Sequence, residues 1–276
     1  MSKHISLNKF DVSNDLPFFL ISGPCQLESR DHAMFMADEI KKITYKLKIN
    51  LVFKTSFDKA NRTSIKSQRG LGLDKSIRVF EEIKKNLELP ILTDVHTSEQ
   101  CNQVKDVVDI IQIPAFLCRQ TDLLISAAKT NLVINVKKGQ FLAPWDMKNV
   151  VKKISDSNND KILITERGVS FGYNTLVSDM RSISVLKKEQ YPVIFDATHS
   201  VQQPGGKGDA SSGEREYIYD LSKAAIAVGV AGLFLEFHDN PDNAPSDGPN
   251  MLKLSDLERF LINIKKLDDL VKENNL

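Results

Sequence analysis

Two sets of residues in this chain have types suited to chemistry rather than to packing. The first is cationic: Lys54, Lys59, Arg62, Lys137, Lys138 and Arg167, each just past the end of an apolar run. Brought together in a chain of net charge +1, six such cations repel one another unless anions lie among them. Phosphate or carboxylate ligands are therefore implied, with arginines as bidentate forks and lysines as point charges. The competing reading is a solvated surface on which basic residues are common. The second set is Cys25, His199, Glu236 and Asp247. A thiolate, an imidazole and two carboxylates suit zinc, iron or manganese. Their spacing makes no metal motif, because each falls in a different segment. On residue types alone, Cys25 after a Gly-Pro turn reads as packing, and Glu236 is free to pair with a lysine.

The segments that must position these residues alternate in type. Apolar runs predict strands at Phe18–Ser22, Leu51–Thr55, Ile91–Asp94, Asp109–Ile113, Leu132–Val136, Lys161–Thr165, Val193–Asp196 and Gly232–Glu236. Near-continuous apolar character is the pattern of parallel strands covered on both faces. Helical periodicity follows each: Ser29–Leu47, Leu73–Asn86, Ser98–Val104, Thr121–Lys129, Met147–Ser157, Tyr173–Lys187, Glu214–Val228 and Leu254–Lys272. Eight such repeats predict an α/β fold, a closed (β/α)8 TIM barrel, with an open doubly wound sheet as the competing architecture. Ile5–Leu7 predicts a short N-terminal β-hairpin plugging the barrel bottom.

In such a barrel the positions just past each strand build the active site. Here they hold Cys25, Lys54 through Arg62, Asp94 and His96, Gln112, Lys137 and Lys138, Glu166 and Arg167, His199, then Glu236 and His238. The opposite ends carry Asn50, Glu88, Asp106, Asn131 and Asp160, ordinary caps and turn formers. That asymmetry points to an enzyme. The glycine-rich stretch Gln202–Gly213 follows the seventh strand and reads as a mobile lid, or else as a plain surface loop.

At 276 residues, the chain is read as one catalytic domain, 1–276. Balanced charge, 37 basic against 36 acidic residues, argues against nucleic acid or a membrane surface as a partner. Three irregularly spaced cysteines form no disulfide framework. No signal-peptide pattern opens the chain and no apolar run is long enough to span a bilayer, so a cytoplasmic location is expected.

Several motifs closely resemble those of the 3-deoxy-D-manno-octulosonate 8-phosphate synthases. They are Phe53-Lys54-Thr55-Ser56-Phe57-Asp58-Lys59-Ala60-Asn61-Arg62-Thr63-Ser64, Leu92-Thr93-Asp94-Val95-His96, the run Gln112 to Asp122, Asn135-Val136-Lys137-Lys138, Glu166-Arg167-Gly168 and Phe195-Asp196-Ala197-Thr198-His199-Ser200. The resemblance covers about Asn14 to Asp269, with the motifs in the family's order. It implies a TIM barrel that condenses phosphoenolpyruvate with D-arabinose 5-phosphate and water, releasing phosphate, in lipopolysaccharide core sugar biosynthesis. The related heptulosonate phosphate synthases carry Lys-Pro-Arg-Thr where this chain has Lys59-Ala60-Asn61-Arg62-Thr63, so Asn61 marks the five-carbon acceptor. Cys25, together with Gln202-Gln203-Pro204-Gly205-Gly206, is similar to the metal-requiring group of the family. The resemblance thus reverses the weight on Cys25, His199, Glu236 and Asp247, making them ligands of a divalent metal.

The same resemblance assigns Lys54, Gln112, Lys137 and Arg167 to phosphoenolpyruvate. It assigns Lys59, Asn61, Arg62 and Thr63 to the sugar phosphate, and Ser56 to substrate binding. His199 is implied as ligand and proton carrier, and Asp94 as a partner of sugar hydroxyls or water; with Lys137 and Asn61 these are the expected catalytic residues. Arg119 is implied to complete a neighbour's site within a homo-oligomer, usually a tetramer. The alternatives are a Schiff-base aldolase using Lys137 or Lys54, a related heptulosonate phosphate synthase, or a sugar-phosphate sensor without turnover.

Overall fold

The computed structural model describes residues 2–204 and 212–274. Eight parallel strands form its centre: β1 (Phe19–Gly23), β2 (Leu51–Lys54), β3 (Ile91–Asp94), β4 (Ile110–Ile113), β5 (Val133–Lys137), β6 (Ile162–Glu166), β7 (Val193–Asp196) and β8 (Gly232–His238). Each pairs with the next, and β8 pairs with both β7 and β1, so the sheet closes. Closure leaves no edge, and the covering helices allow continuous apolar runs on both faces. The helices are α1 (Arg30–Leu47), α2 (Leu73–Leu87), α3 (Ser98–Val104), α4 (Thr121–Ala128), α5 (Met147–Ser155), α6 (Arg181–Lys187), α7 (Ile218–Ala227) and α8 (Leu257–Glu273). The fold is a (β/α)8 barrel, as the alternation predicts. No helix among the described residues is long and apolar enough to cross a membrane.

Inside the barrel, Phe19, Ile21, Val52, Leu92, Ile110, Val133, Leu163, Ile194 and Phe234 form one packed core. Ile5, Leu7 and Val12 join it from below. They belong to the antiparallel hairpin Ile5–Leu7 with Phe10–Val12, which covers the strands' starting ends as expected. A larger apolar layer lies between the strands and helices. The bottom loops carry the anticipated turn formers, with Glu88 and Asn131 in the left-handed region, at φ 52° and 60°.

Several boundaries differ from the sequence reading. The sixth helix starts at Arg181, not Tyr173. Upstream, Val169–Ser170 pairs antiparallel with Leu176–Val177. Gly172 and Asn174, at φ 75° and 54°, turn that ribbon and interrupt the apparent helical period. The seventh helix starts at Ile218, after a 3-10 turn over Arg215–Tyr217. In the expected lid, Gln202–Gln203 pairs with Ser212–Gly213; the intervening residues 205–211 of that segment lie outside the described residues.

Candidate active site

The first strand sets the floor of the mouth. A Cβ on Gly23 would lie 2.0 Å from the Lys54 carbonyl oxygen, so only glycine lets β1 and β2 approach so closely there. The turn that follows buries Cys25. Lys54, at the end of β2, is itself buried, donating from Nζ to the Cys25 carbonyl at 2.9 Å and pairing with Glu236 Oε1 at 2.5 Å. Glu236 comes from β8, so the Lys54 ammonium ties β2 to β8 and to the turn after β1.

Beside it, Lys137 Nζ lies 2.7 Å from Asp196 Oδ2 and 3.7 Å from the centroid of the Phe234 ring. Burial lowers the Lys137 pKa, and the Asp196 charge opposes that shift without cancelling it. Arg167 is buried too; one guanidinium nitrogen donates to Gln202 Oε1 at 3.0 Å, while Nη1 has no partner among the described residues. An unpartnered buried guanidinium nitrogen is a strong anion donor. Asp94 sits at the end of β3, 3.1 Å from His96 Nε2. Burial alone would raise its pKa, but the His96 hydrogen bond and the Lys59 and Lys54 charges hold it well below the usual carboxylate range.

These groups face a cavity of about 680 Å³. Its lining includes Lys54, Ser56, Lys59, Asn61, Arg62, Thr63, Asp94, Gln112, Lys137, Arg167, His199, Glu236 and Asp247. Lys59 Nζ donates to Ser56 Oγ at 3.0 Å, and Arg62 is anchored by Gln26, Pro245 and Ser246. Asn61 and Thr63 are exposed on the rim. Gln112 is buried and accepts from Asn135 Nδ2 at 3.0 Å.

The four metal-type residues converge, and three of them, His199, Glu236 and Asp247, line this cavity. The donor atoms of Cys25, Glu236 and Asp247 all lie within 4.8 Å of one another. His199 Nε2 is 3.9 Å from a carboxylate oxygen of each acid. Glu236 Oε2 is buried with no hydrogen-bond partner among the described residues, which is the state expected of an oxygen reserved for a cation. Burial and the Glu236 charge push the Cys25 thiol well up, so a nearby cation is what would convert it to thiolate. For Asp247, burial again works upward, yet the neighbouring His199 ring and the Lys59 ammonium hold its pKa down. The donor set thus fits a divalent ion.

Three expected members of the mouth lie elsewhere. Lys138 does not face the cavity: its buried ammonium bonds the carbonyls of Leu142 and Gly168, each at 3.2 Å, and pairs with Glu166. Glu166 in turn accepts from the backbone of Arg167 and Gly168, so both residues shape the loop after β6. His238 pairs with Glu28 outside the cavity. Arg119 is exposed and does not line the cavity of its own chain. Conversely, sequence reasoning gave no role to Asp196, Phe234, Ser246 or Arg215. Of these only Asp196 carried a signal, standing at a strand end three residues before His199.

The family model described as the DAHP synthetase I family matches residues 4–273. A 2-dehydro-3-deoxyphosphooctonate aldolase from Brucella anthropi is 60% identical over 268 residues, 97% of each chain. The proteins of the same name from Rickettsia bellii and Rickettsia prowazekii are 59% and 58% identical over 273 residues, 99% of this chain and 100% and 99% of theirs. The chain therefore belongs to the DAHP synthetase I family, among its 2-dehydro-3-deoxyphosphooctonate aldolases.

Proposed function

We propose that this barrel condenses phosphoenolpyruvate with D-arabinose 5-phosphate and water to give 3-deoxy-D-manno-octulosonate 8-phosphate and inorganic phosphate. The observation that carries this reading is one cavity in which Lys54, Lys59, Arg62, Lys137 and Arg167 meet beside a cluster of metal-type donors. Two anionic substrates need such a concentration of cations. Lys137, Arg167, Lys54 and Gln112 are the phosphoenolpyruvate side, deepest in the mouth. Ser56, Lys59, Asn61, Arg62 and Thr63 are the sugar-phosphate side, towards the rim.

The reaction forms a bond from C3 of phosphoenolpyruvate to the aldehyde carbon. Electron demand then develops at C2, where water adds before phosphate leaves. Holding both substrates face to face removes much of the entropic barrier. The fixed cations are already oriented, so they stabilise developing charge without reorganising. Asp94, kept ionised, is suited to accept hydrogen bonds from sugar hydroxyls or from the attacking water. Cys25, His199, Glu236 and Asp247 would hold a divalent zinc, iron or manganese ion. Such an ion supplies Lewis acidity towards the aldehyde oxygen or orients water.

A homotetramer in the cytoplasm completes the reading. Arg119 is exposed, and so are Phe116, Phe141 and Trp145 on the loops beyond β4 and β5. Exposed aromatics beside an unused arginine suit contact with a second copy. Three free, buried cysteines fit a reducing compartment. The deciding experiment measures phosphate release with phosphoenolpyruvate plus arabinose 5-phosphate or erythrose 4-phosphate, before and after chelation. Selective turnover of the five-carbon sugar is expected; comparable efficiency with both sugars refutes the assignment of Asn61. Sedimentation under assay conditions tests assembly, and a fully active monomer removes the role of Arg119.

A further inference from the structure

Asp196 lies at the end of β7, completely buried. Its Oδ2 is 2.7 Å from Lys137 Nζ and 2.8 Å from His199 Nδ1. Its Oδ1 accepts from the backbone N–H of His199 at 2.9 Å, capping the short helix Ala197–Ser200. One carboxylate therefore touches a lysine assigned to phosphoenolpyruvate and a histidine assigned to the metal.

To serve as a metal ligand His199 must be neutral, and a neutral ring has two forms. If Nδ1 carries the proton, it donates to Asp196, and the Nε2 lone pair faces Glu236 and Asp247. If Nε2 carries it, Nδ1 accepts from Lys137, 3.5 Å away, and an N–H faces those carboxylates. A carboxylate only accepts hydrogen bonds, so at 2.8 Å from Nδ1 it selects the first form. Outer carboxylates of this kind fix ring orientation and tautomer in metal sites.

We infer that Asp196 is a positioning residue, keeping the His199 Nε2 lone pair on the donor cluster and the Lys137 ammonium on the anion-binding floor. The inference rests on the proposed metal and phosphoenolpyruvate sites. Helix capping alone is the rival account. The substitution Asp196→Asn separates the two, because asparagine caps a helix about as well as aspartate but is not anionic. That variant should therefore keep the fold while loosening both assigned groups.

The test uses the full chain, wild type and Asp196→Asn. With 15N-histidine label, two-bond proton–nitrogen correlations of the chelated protein, recorded at a pH where the ring is neutral, report the His199 tautomer directly. Wild type should show Nδ1–H and the variant a shift towards Nε2–H. Cobalt(II) affinity, measured by competition, should fall about 10- to 100-fold in the variant. KM for phosphoenolpyruvate should rise, with KM for arabinose 5-phosphate within about twofold. An Nε2–H wild type overturns the inference even if the variant fails to fold. So does a folded variant with unaltered cobalt affinity and KM values. If wild type proves to need no metal, the proposed metal site fails, while the tautomer measurement still decides what Asp196 does to His199.

Discussion

The two ends of this barrel are made from the same eight strands and obey opposite rules. At the starting ends, Phe19, Ile110 and Val133 meet the hairpin residues Ile5, Leu7 and Val12 in an apolar plug. At the finishing ends, Lys54, Lys137, Asp196 and Glu236 are equally buried. Apolar burial contributes about 25 cal/mol per Å², whereas a buried ion pair is near neutral against a well-packed apolar replacement. The bottom thus supplies stability, and the mouth uses part of it to hold charges where substrates need them. A barrel separates these tasks because its loops at one end can vary without disturbing the core.

The largest expected effect strikes the mouth alone. Chelation should reduce turnover on the order of 100-fold or more, the worth of several kcal/mol of charge stabilisation, and a divalent ion should restore it. Cys25→Asn should retain measurable activity that ignores chelators. Full activity in wild-type protein shown to be metal-free by elemental analysis would make Cys25 a packing residue.

Next, in chelated protein, Lys54→Met leaves Glu236 buried without a paired cation and should cost about 3–5 kcal/mol in urea unfolding. Replacing both partners, as Lys54→Met with Glu236→Leu, should recover much of that stability but none of the activity. Equal stability in the single and double variants would refute the view that the pair is kept for function. At the other end, Leu7→Ala should cost about 2–3 kcal/mol, in the lower range for buried leucines. Both KM values should stay unchanged; a shift in either would mean that the plug and the mouth are coupled.

The smallest effect concerns Asp268 on α8, which accepts from the Phe18 N–H at 2.8 Å. Burial raises its pKa above the ordinary aspartate value. A raised carboxyl binds protons more readily in the folded state. Its stability contribution is therefore present below the unfolded pKa and lost as pH rises through the folded one. Asp268→Asn keeps an acceptor and removes that loss, so it should slightly raise the urea midpoint at neutral pH and not at pH 3. No pH dependence in the difference would contradict the shift.

The eight strands were legible because continuous β-branched runs between helical periods have few other uses. The start of the sixth helix was not, because Gly172 and Asn174 impose a turn that apolar spacing does not register. Lys138 illustrates a finer limit. It adjoins Lys137 in sequence, but successive residues leave a strand on opposite faces, so one reaches the cavity and the other does not. Arg167 and Glu166 divide in the same way. Period-two alternation was available as a signal, and shared charge obscured it. Asp196 was passed over because in sequence it only closes the strand Val193–Asp196; its contacts with Lys137 and His199 arise on folding.

By itself the chain determined the repeat, the end of each repeat that bears chemistry, and the family. Those properties are local: they reside in apolar periods and in motifs of adjacent residues. Only the tertiary structure decided that Lys54 pairs with Glu236, 182 residues away, or that Cys25 meets Asp247, 222 residues on. Strand closure sets those distances, and closure depends on every strand at once.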